Sequence, residues 1–177
     1  MFKGWGNRRR NGRSRPGNEE ALRFLPKWRK IAVPAFGAPY SDRAIHAACR
    51  VVDGVEGAEV RLVYVMEVPR ALAMATALPG EEALAEQFLS QGREVAAGFD
   101  AVVTTDVIRG REAVDTLVRY LKQSECDLVV LGSRADEVRG LPLSVTREIF
   151  SRSPCPVLLD HIAAESEPLP LISPAAG

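Results

Sequence analysis

The chain has 177 residues, of which 46% are hydrophobic and 6% aromatic, and its formal net charge is zero. No apolar run approaches the roughly 18 residues of a membrane span, and no apolar segment of a signal peptide follows the basic N-terminus. The three cysteines, Cys49, Cys126 and Cys155, are an odd number without a close pair. They predict reduced thiols and a cytoplasmic location.

The basic residues are concentrated at the N-terminus. Residues 1–30 contain ten Lys and Arg against two Glu, a balance of +8, so the remainder carries −8. Residues 1–27 lack a core-forming pattern and are predicted to be a flexible basic arm. The arm is interpreted first as solubilising, and the alternatives are a transit peptide or docking on nucleic acid, anionic lipid or an acidic protein partner. Nucleic acid is disfavoured, because the charged run has no interleaved aromatic residues. The proline-rich residues 162–177 are predicted to be a disordered tail.

Between these extensions, residues 28–161 are predicted to form one domain in which strands and helices alternate. The predicted strands are Ile31–Ala35, Val60–Val65, Ala101–Ile108, Leu128–Leu131 and Val157–Leu159. The predicted helices are Ser41–Asp53, Glu81–Ala97, Glu112–Ser124 and Ser144–Ser153. This alternation is typical of an α/β fold with an open, five-stranded parallel sheet, right-handed crossovers and helices on both faces.

Two local expectations concern the region after the second strand. Residues 69–80 are predicted to be a loop that could contain one helical turn at residues 71–77. The inner face of the second helix is predicted from the apolar residues near one stripe. These residues are Leu84, Phe88, Val95 and Phe99.

The stretch from Asp127 to Asp160 carries the candidate binding site. A buried strand, Leu128–Leu131, is closed by Gly132 and Ser133, and a loop then leads to a helix that Ser144 could cap. The carboxyl end of a parallel strand that leads through a small-residue loop to a helix N-terminus is a place where phosphate can bind.

The same stretch resembles the C-terminal half of universal stress protein domains, in its Gly-Ser after the strand and in its Ser-Pro-Cys-Pro-Val-Leu ending. The resemblance extends over roughly Trp28 to Asp160. It implies a Rossmann-like strand order 3-2-1-4-5 with a nucleotide site between strands one and four. It also implies that phosphates and ribose are held by a group of residues from the fourth strand and the following helix. These residues are Gly132, Ser133, Arg134, Ser144 and Val145.

The chain departs from that family's ATP-binding pattern at two places. Where family members have Val-Pro-x-Asp after strand one, this chain has Ala35 followed by Phe36 in place of the acid. Ala135 and Leu143 stand at two glycine positions, and the gap between them is seven residues where ATP binders have nine. Val65 matches the residue whose backbone meets adenine. The predicted function is therefore a regulatory or binding module with a degenerate nucleotide site.

No cofactor is expected to bind tightly, although ATP or AMP remains possible. The alternative is a working ATP or AMP binder with slow hydrolysis or autophosphorylation. The family resemblance also implies a homodimer, formed by antiparallel pairing of the last strand, Pro156–Asp160. An apolar edge strand of this kind is a pairing surface.

Catalytic and metal sites have little support in the sequence. The two histidines, His46 and His161, lie in a helix and beyond the last strand, and no Gly-x-Ser-x-Gly elbow is present. His46 and Cys49 are three residues apart on a helix, but further metal ligands at suitable spacing are missing. The chain is not expected to be an enzyme.

Overall fold

The computed structural model describes residues 28–35, 40–134 and 143–162. The five strands are β1 (Lys30–Pro34), β2 (Glu59–Glu67), β3 (Val102–Gly110), β4 (Leu128–Arg134) and β5 (Val157–Ile162). The four helices are α1 (Tyr40–Val52), α2 (Pro79–Ala96), α3 (Ala113–Gln123) and α4 (Leu143–Arg152). The predicted basic arm, the tail beyond Ile162 and Phe36 lie outside the described residues.

The strands form one parallel sheet in the order β3-β2-β1-β4-β5, which confirms the predicted fold and strand order. One core cluster joins α1 and α2 to one face of the sheet, for example through Ile45 and Leu89. A second cluster joins α3 and α4 to the other face through Leu117 and Ile149. Because both faces are covered, a central strand such as β4 must be apolar along its whole buried length.

The predicted inner face of α2 is confirmed in part, because Phe88, Val95 and Phe99 are half-buried against the core whereas Leu84 is exposed. The buried positions are Ala85, Leu89, Gly92 and Ala96. Leu84 is 42% exposed. A Cβ placed on Gly92 would lie 2.7 Å from Leu62 Cδ1, so the helix backbone lies directly against the sheet. Small residues therefore form the contact, and Phe88 packs at its margin by stacking on Tyr64 with ring centroids 5.9 Å apart.

The connection between β2 and α2 contains two tight turns instead of a helical turn. The N–H of Leu72 donates to the carbonyl of Pro69 at 3.0 Å, and the N–H of Thr76 donates to the carbonyl of Ala73 at 3.0 Å. Leu72 and Met74 are exposed. The loop therefore buries few large side chains of its own.

Candidate nucleotide site

The site begins with a difference in length between two neighbouring strands. The N–H of Glu59 bonds the carbonyl of Arg29, and the N–H of Ala35 bonds the carbonyl of Val63 at 2.8 Å. Since backbone direction alternates along a strand, the odd-numbered residues of β2 face β1. β1 ends at Pro34, whereas β2 continues to Glu67. Val65 is the next odd-numbered residue after Val63, so its N–H and C=O face the same side of β2, beyond the last residue of β1.

A cleft of about 530 Å³ lies at this end of β2, between the first turns of α2 and α3. Its size is within the range of small-ligand sites. Val65 is one of its lining residues, so the residue that matches the family's adenine contact lies at a real concavity. The lining includes Tyr64, Val65, Glu67, Pro69, Glu81 and Arg111.

Carboxylates of the protein already satisfy polar groups around this cleft. Glu67 Oε1 accepts the N–H of Ala113, the first residue of α3, at 2.8 Å. Glu81, in the first turn of α2, accepts the hydroxyl of Tyr64 at 2.9 Å. Burial raises the pKa of Tyr64 to about 12, and the bond to Glu81 acts in the same direction. Each helix N-terminus thus has a carboxylate beside it, which complements the helix dipole, while Arg70 and Arg111 add two positive charges to the same lining.

The fourth strand is the neighbour of β1 on the side opposite β2. Ala32 of β1 is in register with Val129 of β4. Continuing that register places Ala35 level with Gly132, so the described structure brings Ala35, Val65 and Gly132 to the same end of the sheet. β4 is three residues longer than predicted, because Ser133 and Arg134 continue the pairing with β5. Their side chains lie outside the described residues.

The start of α4 differs slightly from the prediction. The helix begins at Leu143, so Ser144 lies inside the first turn instead of capping the helix. Ser144 is exposed and Val145 is half-buried. The remaining predicted site residue, Phe36, and the loop from Ala135 to Pro142 lie outside the described residues.

His46 and Cys49 serve packing in this structure, whereas His161 is exposed. His46 lies edge-on against Phe99 with ring centroids 4.6 Å apart, and burial lowers its pKa. Cys49 is fully buried, and burial raises the pKa of its thiol to about 11. Within the described ranges, no group of three His, Cys, Asp or Glu side chains converges as metal ligands. None of the described helices is long and apolar enough to cross a membrane.

Sequence reasoning missed several residues of the cleft, namely Tyr64, Glu67, Glu81 and Arg111. Glu81 had a recognisable signal, because acids in a first helical turn complement the helix dipole. Nothing in the sequence indicated that Glu67 and Arg111 would approach groups more than 40 residues away along the chain.

The comparisons with known proteins agree with this architecture. The model of the universal stress protein family matches residues 27–161. The chain belongs to the universal stress protein family. No individually curated protein sequence is significantly similar to it.

Solved structures of the same fold include several nucleotide complexes. A universal stress protein from Archaeoglobus fulgidus in complex with dAMP is 15% identical, with a TM-score of 0.60, and the match covers 76% of this chain and 98% of that one. A family protein from Arabidopsis thaliana with AMP bound is 16% identical, with a TM-score of 0.55 and coverages of 80% and 97%. The UspA protein from Lactobacillus plantarum is 21% identical, with a TM-score of 0.58 and coverages of 76% and 98%.

Proposed function

We propose that this protein is a small regulatory module that binds adenine nucleotides weakly and prefers AMP to ATP. The observation that carries the proposal is the backbone of Val65, whose N–H and C=O face the β1 side of β2 beyond the last residue of β1 and which lines the cleft. Adenine offers a matching edge, with an exocyclic N–H donor beside a ring-nitrogen acceptor. Complexes of family proteins with AMP and dAMP support this assignment.

The preference for a single phosphate follows from the loop sequence. We assign the phosphate to the end of β4 near Gly132, since β4 precedes helix α4 in the chain and a helix N-terminus favours an anion. The following loop has Ala135 and Leu143 at two positions where family ATP binders have glycine. A shorter loop with Cβ atoms at those positions forms fewer backbone contacts with a triphosphate.

The absence of an acid after β1 weakens binding of every adenosine nucleotide. Phe36 cannot accept a hydrogen bond from ribose or adenine, which removes on the order of 1.5–3 kcal/mol. Each ~1.4 kcal/mol changes the dissociation constant tenfold. We therefore expect dissociation constants on the order of 100 μM for AMP and about 1 mM for ATP.

Calorimetric titration of the purified, nucleotide-free protein tests this function. AMP should bind, ATP should bind about tenfold more weakly, and etheno-AMP, whose adenine edge is blocked by an extra ring, should bind at least about tenfold more weakly than AMP. Equal affinity for AMP and etheno-AMP would refute recognition by the Val65 backbone. An ATP dissociation constant near or below roughly 10 μM would instead support the alternative, a working ATP-binding member of the family.

We further propose that the module acts as a homodimer in the cytoplasm, paired through the free edge of β5. In the described sheet, β5 pairs with β4 on one side and is the last strand on the other. Val157, Leu158 and Leu159 are half-buried along this edge. Antiparallel pairing with a second copy about a two-fold axis would bury them and satisfy the backbone groups of both edges.

A further inference from the structure

Arg111 lies directly after β3 and binds the loop that follows β2. Its Nη1 donates to the carbonyl of Val68 at 3.0 Å and also to the carbonyl of Pro69. Its Nη2 donates to the carbonyl of Leu72 at 2.7 Å. One guanidinium therefore binds three backbone carbonyls between positions 68 and 72, a pattern that the single nitrogen of a lysine cannot reproduce.

A second arginine binds the same loop farther along. Arg109 Nη2 donates to the carbonyl of Thr76, and its Nη1 lies 3.5 Å from Glu82 of α2. Gly110 lies between the two arginines, and a Cβ at this position would overlap the side chain of Thr116. The end of β3 is thereby held close to α3, and this contact fixes the backbone positions from which both arginine side chains extend.

The loop depends on these bonds because its own side chains provide little packing. Leu72 and Met74 are 38% and 40% exposed, and four of the remaining loop residues between positions 70 and 78 are alanines. Val68 and Pro69, which Arg111 binds, line the cleft together with Val65. The bonds from Arg111 therefore determine where this wall of the cleft stands relative to the Val65 backbone.

We propose that Arg111 is the positioning residue for base recognition, holding the β2–α2 loop as the wall against which the adenine packs. This inference rests on the proposed function. Without the three bonds, the loop carbonyls can pair with water and the wall moves away from Val65. The protein then no longer selects ligands by the adenine edge, while contacts to the phosphate at the end of β4 remain.

Two variants and one control test this role. Arg111→Met removes the donors and keeps the length of the side chain, and Arg111→Lys keeps the charge without the three-way bonding. Arg119→Met is the matched control, because Arg119 is exposed on α3 and no bond to a described residue involves it. Each protein is titrated with AMP, etheno-AMP and ribose 5-phosphate, and its melting temperature is recorded.

Arg111→Met is expected to weaken AMP binding about tenfold and to reduce the AMP to etheno-AMP preference to about twofold or less, while ribose 5-phosphate binding is unchanged. Arg111→Lys should fail to restore the preference, and Arg119→Met should match the wild type. Weaker binding of all three ligands in equal proportion, or an intact preference in Arg111→Met, would overturn the positioning role alone. If the wild type itself does not bind AMP, the proposed function fails and this inference fails with it.

Discussion

Arg43 in the first turn of α1 binds Asp160 of the edge strand β5 through two parallel hydrogen bonds. Nε donates to Oδ2 at 2.7 Å, and Nη2 donates to Oδ1 at 2.8 Å. The side chains are 25% and 21% exposed. The hydrogen bond to Asp160 raises the pKa of Arg43. The carboxylate on the proposed dimer edge is therefore already neutralised by a helix of its own subunit.

Replacing Arg43 should destabilise the domain because Asp160 then loses its counter-charge in a half-buried position. We expect Arg43→Met to lower the free energy of unfolding by about 1–2 kcal/mol, and a double-mutant cycle with Asp160→Asn to give a coupling of about 1 kcal/mol or more. Urea unfolding measures both quantities. Arg50→Met, at an exposed position of the same helix, is the control and should change the stability by less than about 0.5 kcal/mol. A coupling energy near zero would contradict a structural role for the pair.

A charge at the centre of β5 should weaken the proposed dimer. Leu158→Lys places an ammonium group in an apolar edge that is buried on pairing, and we expect the dissociation constant of the dimer to rise at least about 100-fold. Sedimentation equilibrium measures this change. Leu84→Lys introduces the same charge at a leucine that is exposed on α2, and it should leave the association unchanged. If the wild type is monomeric at a protein concentration on the order of tens of micromolar, this dimer is ruled out.

Alanine at Gly110 should strain the junction between β3 and α3. Its Cβ would overlap Thr116, whose hydroxyl bonds the carbonyl of Glu112 at 2.8 Å in the first turn of α3. We expect Gly110→Ala to lower the free energy of unfolding by about 2–3 kcal/mol.

The same substitution at Gly80 is the control for this strain. A Cβ there meets no atom within 4 Å, and the position lies in the first turn of α2. Gly80→Ala should therefore be neutral or stabilising by up to ~1 kcal/mol. Thermal unfolding compares the variants, and a Gly110→Ala protein as stable as the wild type would show that the junction can relax.

The stability of the domain should fall in strongly alkaline solution. The pKa of both Tyr64 and Tyr120 is raised to about 12, from 10.0 for a free tyrosine. Burial is the larger cause, and a hydrogen bond to a carboxylate is the second. The folded state therefore keeps these protons where the unfolded chain loses them. The resulting contribution to the free energy of unfolding is fully present below pH 10 and is lost as the pH rises from 10 to 12.

Removing the two hydroxyls should flatten that dependence. In Tyr64→Phe and Tyr120→Phe variants, the decline in the free energy of unfolding between pH 10 and 12 should shrink by up to about 2 kcal/mol per tyrosine, since one pKa unit corresponds to ~1.36 kcal/mol. Urea midpoints at several alkaline pH values provide the measurement. If the free energy of unfolding declines equally in the wild type and in the variant that carries both substitutions, groups other than these tyrosines cause the alkaline loss of stability.

The order of elements and the parallel arrangement of the strands follow from the sequence, because their determinants are local. Apolar runs such as Leu128–Leu131 fit strands covered on both faces, and they alternate with helices of 3.6-residue periodicity. The ending Ser153–Leu159 carries the family resemblance and with it the strand order. The same resemblance singles out Gly132, directly after a predicted strand, and Val65, at the end of another, as candidate site residues.

The tertiary structure decided the details of contact. The closest approach of α2 to the sheet is at Gly92, where the helix backbone meets Leu62, and the large apolar residues Phe88 and Val95 pack beside this contact. The candidate site depends on β1 ending before β2, and on the backbone alternation that turns the N–H and C=O of Val65 to the β1 side of β2. Arg111 bonds carbonyls about 40 residues earlier in the chain. Every residue carries the same backbone carbonyl, so no sequence pattern predicts which loop an arginine will bind once the chain has folded.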